Sequence, residues 1–133
     1  MSPWYQPGNI STASERLTPE TILGGAGASA VNLVDNTAVN SSVVDTNNTP
    51  KKTLKVTLTS TGTITDYLVK LRALSSQENA NFSEIVSEIY EGNGIYHWNL
   101  EDYGRYFMVQ AQALGTADAL NYVTIQIDIE GIS

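Results

Sequence analysis

The chain has no cysteine and a single histidine, and its seven basic side chains are outnumbered by fourteen acidic ones. Without cysteine there is no disulfide framework and no Cys-ligated zinc site, so stability rests on packing and hydrogen bonds. The same absence is compatible with a reducing compartment or with a particle assembled in one. The shortage of positive charge, a net −7 with a pI near 4.4, opposes non-specific attraction to nucleic acid and to anionic lipid. Long hydrophobic runs are missing too. No segment approaches the ~20 apolar residues needed to span a bilayer, and Met1-Ser2-Pro3-Trp4-Tyr5-Gln6-Pro7-Gly8 lacks the basic start and apolar run of a secretory signal. The expectation is a soluble chain with neither a direct nucleic-acid partner nor a membrane partner. At 133 residues it is long enough for one domain with a real core and short for two.

Residues 1–30 contain Pro3, Pro7, Gly8, Pro19, Gly24, Gly25 and Gly27, with apolar groups only as isolated points: Trp4, Tyr5, Ile10, Leu17, Ile22 and Leu23. Thr18-Pro19-Glu20 has the cap-then-proline order that starts helices, but Gly24-Gly25 stops one after about a turn. The reading is an extended arm over 1–30 and a folded domain over 31–133. Such an arm cannot bury its apolar groups internally, so it orders by lying on its own domain or on a neighbouring chain. Its six apolar residues are therefore the candidate partner-binding set. Trp4 and Tyr5 are the anchors, because large rings bury much area with little loss of rotamer entropy.

From Lys51 the pattern sharpens. Leu54, Val56 and Leu58 alternate with Lys55, Thr57 and Thr59, the period of a half-buried strand. Tyr67, Val69, Leu71 and Ala73 alternate against Leu68, Lys70, Arg72 and Leu74, and these two segments pair as strands B and C. Phe82 to Tyr90 fits either a helix face or the first arm of a hairpin around Gly92-Asn93-Gly94. Its β-branched and aromatic residues favour the hairpin. Tyr96, Trp98 and Leu100 alternate inward as strand E. Val123, Ile125, Ile127 and Ile129 form one clean face of strand G.

Between E and G, Leu100-Glu101-Asp102-Tyr103-Gly104-Arg105-Tyr106-Phe107-Met108 has Leu-x-Asp-x-Gly-x-Tyr spacing. It resembles the corner that leads into strand F of immunoglobulin-like β-sandwiches. The resemblance implies an all-β, immunoglobulin-like antiparallel β-sandwich. In it Leu100, Asp102 and Gly104 shape the corner, and Tyr106 points inward with its hydroxyl on nearby backbone. The match departs at the family's second Cys, where this chain has Met108. It also conflicts with alternation, since an inward Tyr106 carries Met108, Gln110 and Gln112 inward and leaves Phe107, Val109, Ala111 and Ala113 outside. Two resolutions stand: a bulge flips the register within strand F, or a subunit contact through Phe107 and Val109 covers the outer face.

No constellation of residues indicates catalysis, and no metal or cofactor site is expected. His97 reads as a solvent-facing strand residue, and no Ser or Cys lies in a nucleophile motif. Glu101 and Asp102 point to opposite sides if extended and belong to the corner. Asp35, Asp45 and Asp66 have no spacing that demands calcium. Gly24-Gly25-Ala26-Gly27 is not followed by a phosphate-cradling helix pattern. An arm, a Cys-free sandwich and an acidic surface together look like a small virion protein of tailed phages, similar to immunoglobulin-like capsid decoration or cement proteins. That resemblance implies a non-enzymatic oligomeric component, assembled in the host cytoplasm and residing on the capsid surface. Its partners would be the major capsid protein and copies of itself. The competing expectation is a carbohydrate-binding or adhesion module on a tail or fibre, with Tyr90, Tyr96 and Trp98 exposed and coplanar as a sugar-stacking platform.

Overall fold

The structure, a computed structural model, describes residues 20–25, 31–34, 37–46, 50–63, 67–101, 104–114 and 120–132. Among them there is no helix. Ten strands form two antiparallel sheets, which face each other across one apolar core as a β-sandwich. The strands are β1 (Glu20–Leu23), β2 (Val31–Leu33), β3 (Val39–Asn40), β4 (Val44–Asp45), β5 (Lys51–Thr61), β6 (Leu68–Ser76), β7 (Ser83–Glu91), β8 (Gly94–Glu101), β9 (Tyr106–Leu114) and β10 (Tyr122–Ile132).

One sheet runs β1-β10-β5-β8, with β2 following β1 along the same flank of β10. The other runs β3-β9-β6-β7, with β4 following β3 along β9. Taking β1 with β2 and β3 with β4 as interrupted single strands, each sheet has four positions, and every sequential step between long strands except β6 to β7 crosses the sandwich. This is the strand order of a jelly roll. The expected class, an all-β antiparallel sandwich, is the one observed. Within it, β10 pairs with β5, whereas an immunoglobulin order would set it beside β9. The segments expected to pair as B and C, β5 and β6, lie in opposite sheets.

Period-two alternation explains the core. Leu54, Val56 and Leu58 of β5, with Val123, Ile125, Ile127 and Ile129 of β10, are at most 1% exposed. From the opposite sheet come Val69, Leu71 and Ala73 of β6 and Phe107, Val109, Ala111 and Ala113 of β9, also at most 1% exposed. Each fully buried Val, Leu, Ile or Phe contributes roughly 1.5–3 kcal/mol of transfer free energy, offset by the entropy of ordering the chain.

Three expectations are corrected. Ile22 and Leu23 do not face a partner: they are 3% and 6% exposed, inside this chain's own core. A register shift in the β1–β10 ladder between Thr21 and Leu23 lets two successive side chains face inward, which simple alternation does not foresee. The sandwich therefore includes Glu20–Leu23, and a boundary at residue 30 falls too late. Phe107 and Val109 offer no outer contact, since both are 0% exposed and in the core. The β6–β9 register runs unbroken from Leu68↔Leu114 to Ser76↔Tyr106, so no bulge flips the strand.

The hairpin expected around Gly92-Asn93-Gly94 is instead a tight arch. β7 pairs with β6 and β8 with β5, so the turn carries the chain from one sheet to the other. Gly94 has φ of 156°, a backbone conformation that glycine alone adopts readily.

Candidate functional site

The corner before β9 is held by a residue that sequence reading passed over. Thr46 is 3% exposed. Its backbone N–H donates to Arg105 O at 2.7 Å, and its hydroxyl lies 3.0 Å from Gly104 O and 2.9 Å from Arg105 O. Thus a Thr hydroxyl arriving from β4 supplies the tie that a Tyr hydroxyl supplies in the resembled corner. Leu100 is buried at 7% and Gly104 is buried as well, whereas Asp102 lies outside the described residues. Tyr106 is half-buried on the outer face, where the Arg105 guanidinium stacks 5.2 Å from its ring centroid. Arg105 makes a two-pronged contact with Asp45, Nε to Oδ1 at 3.1 Å and Nη2 to Oδ2 at 3.0 Å. That contact raises the guanidinium pKa above its ordinary value.

A second tie stands where β3 gives way to β4. The Ser41 hydroxyl accepts the Val109 N–H at 2.9 Å and donates to Ser42 O at 2.9 Å, replacing a strand carbonyl. Next to it, Ser42 N–H donates to Ile22 O at 2.8 Å, joining the two sheets along that side. These contacts satisfy backbone groups that interrupted edge strands would otherwise leave unpaired.

Lys52 is 1% exposed, one of the largest fully buried side chains among the described residues. Its ammonium donates to Pro50 O at 3.2 Å and sits 5.7 Å from the Phe107 ring centroid, where the ring face attracts a cation. The signal was available in parity, because Lys52 shares its face of β5 with Leu54, Val56 and Leu58. Around the same strand ends, Lys51, Lys52, Thr53, Asn99, Leu100 and Glu101 line an open cleft of about 360 Å³. Thr53 Oγ1 donates to Asn99 Oδ1 across it at 3.2 Å.

The side of the sandwich between β7 and β8 holds the aromatic cluster. Tyr90 and Tyr96 have ring centroids 4.7 Å apart and tilted by 34°. Tyr90 meets Trp98 edge-on at 6.5 Å and 80°. Trp98 is 6% exposed and both tyrosines are half-buried against the core. The rings are therefore not coplanar and Trp98 is closed off, so they do not form the sugar-stacking platform required by the adhesion reading. Burial pushes the Tyr90 phenol up to about 12, aided by the nearby carboxylate of Glu88. The arch above is cross-tied: Asn93 Oδ1 accepts the Ser60 N–H at 2.8 Å and the Tyr67 hydroxyl, while the Tyr96 hydroxyl donates to Glu91 O or Gly92 O at 2.8 and 3.0 Å. Burial likewise raises the Tyr67 phenol to about 12.

His97 faces outward on β8, as expected, with Nδ1 2.9 Å from Glu130 Oε1. Glu130 sits at a bulge between Ile129 and Gly131, and Lys55 occupies the β5 position beside His97. Among the described residues no group of three or more His, Asp or Glu side chains is arranged to hold a metal ion. Trp4, Tyr5, Ile10 and Leu17 lie outside the described residues. No known protein-family model matches the sequence, and no curated protein matches it.

Proposed function

We propose that this chain is a structural virion protein of the capsid decoration or cement type. In this reading it docks on a major capsid protein through residues 1–19 and stabilises the shell. The observation that carries the reading is that the sandwich closes from Glu20 onward, with β1 already the flanking strand of one sheet and Ile22 and Leu23 already in the core. Trp4, Tyr5, Ile10 and Leu17 precede the first described strand, and large apolar side chains of this kind are suited to a surface supplied by another chain. Two adjacent aromatic side chains bury a large area with few rotors to fix, which favours them as anchors. The segment gains contact area and pays for it in ordering entropy. The jelly-roll strand order is found in viral capsid domains and also in lectins, so it supports the architecture and leaves the role to the docking segment.

The test is co-sedimentation with purified capsid shells. The unaltered chain should pellet with the shells, while a Trp4→Ala/Tyr5→Ala double variant should remain in the supernatant yet unfold at the same temperature. Undiminished pelleting of the double variant would refute the role given to this segment.

A further inference from the structure

Independently of that reading, the side of the sandwich between β7 and β8 has the features of an acceptor edge. Among the described residues β7 is hydrogen-bonded only to β6 and β8 only to β5, so each presents one flank of backbone donors and acceptors. Along β7, Val86, Glu88 and Tyr90 stand opposite Ala73, Leu71 and Val69, all inward-facing. Residues directly opposite share a face of the sheet, so Glu88 occupies a core-side position on a strand too far out to be covered. It is exposed, and Val86 is 37% exposed.

The carboxylates on this edge are not equivalent. Glu84 is engaged by Arg72 at 3.1 Å, whereas Glu88 and Glu91 are exposed and have no ion-pair partner among the described residues. Glu88 stands beside the Tyr90 ring, which itself packs on Tyr96 and Trp98. A carboxylate next to an aromatic face attracts a cation twice, by charge and by the ring quadrupole. Edge-to-edge pairing of two copies along β7 would instead bring like charges together, a familiar defence against self-association.

We infer that β7 accepts an extended basic segment of a partner by strand addition, with a Lys or Arg of that segment seated on Glu88 against Tyr90. Backbone pairing supplies affinity that is indifferent to sequence, and the Glu88–Tyr90 position selects the cation. The partner is defined by its chemistry: a strand alternating basic and β-branched residues.

The probe is a blocked seven-residue peptide alternating Lys and Val, titrated into the isotope-labelled full chain and followed by amide shifts. Shifts should concentrate in residues 83–91. Glu88→Lys should weaken binding about tenfold, equivalent to ~1.4 kcal/mol, with an unchanged unfolding temperature. Glu78→Lys, the same charge change on an exposed loop residue, should bind like the unaltered chain. Equal affinity for Glu88→Lys, equal binding of a Glu–Val peptide, shifts spread evenly over the acidic surface, or dimerisation of the chain through β7 would each overturn the inference.

Discussion

The register of β9 decides which side chains build the core, and a pair of neighbouring substitutions tests it. Phe107 is 0% exposed beneath the Lys52 ammonium, whereas Tyr106 lies half-buried on the outer face against Arg105. Phe107→Ala removes a buried ring and leaves a cavity, a change that costs about 3–5 kcal/mol. It also takes away the ring face beneath a buried ammonium. Against a total stability of roughly 5–15 kcal/mol for a domain of this kind, that is a large fraction. The corresponding drop in unfolding temperature is about 10–20 °C for a chain of this length. Tyr106→Ala deletes an outward ring and one cation–ring contact, worth about 0.5–1 kcal/mol at such a site. Urea unfolding followed by far-UV circular dichroism gives both values, provided the slope with denaturant stays constant across the variants. A larger loss for Tyr106→Ala than for Phe107→Ala would mean that Tyr106 is the core residue, and the register described above would be wrong.

Further expectations follow from the ties and turns. Thr46→Val keeps the side-chain shape but removes the hydroxyl shared by Gly104 O and Arg105 O, and should lower stability by about 1–2 kcal/mol in the same assay. Gly24 has φ of 79°, and a Cβ there would collide with Ile125 O. Gly24→Ala should therefore lower the unfolding free energy by more than the ~1–2 kcal/mol of left-handed strain alone. Two phenols, Tyr67 and Tyr90, are raised from 10.0 to about 12, chiefly by burial. The folded chain then keeps protons that the unfolded chain releases, so this stabilisation is complete below pH 10 and is lost as pH rises through about 12. Urea midpoints measured across that window should fall, and the fall should shrink in a Tyr67→Phe/Tyr90→Phe variant.

The longest strands were legible because their inner rows are uninterrupted: Leu54-Val56-Leu58 in β5 and Val123-Ile125-Ile127-Ile129 in β10 announce both element and face. In β9 the same rule gave the right answer against the corner motif, since Phe107, Val109, Ala111 and Ala113 make an apolar row and Gln110 and Gln112 a polar one. The motif misled because the hydroxyl that ties the corner comes from Thr46, about sixty residues earlier in the chain and invisible to local spacing. β1 was missed because its two core residues are adjacent, a consequence of the register shift at Thr21/Leu23. β7 looked partly helical for a related reason. A shift opposite Ala73/Leu74 and the exposure of an edge strand leave Ile85, Val86, Ile89 and Tyr90 without a single buried row. Nothing local to β10 says which sheet it joins, because that choice belongs to long-range pairing with β5. In the candidate site, the alternation of β5 carries a signal for Lys52 to which the expected inner row Leu54-Val56-Leu58 did not extend, and only cross-strand pairing reveals that Glu88 occupies a core-side position on an open edge.

The proposed docking role requires that the strands from Glu20 onward fold without residues 1–19. Thermal unfolding of a chain beginning at Glu20, compared with the full chain, measures it directly. One cooperative transition at the same temperature is expected in both; a fragment that is unfolded, or that melts far below the full chain, would show that residues 1–19 belong to the domain itself.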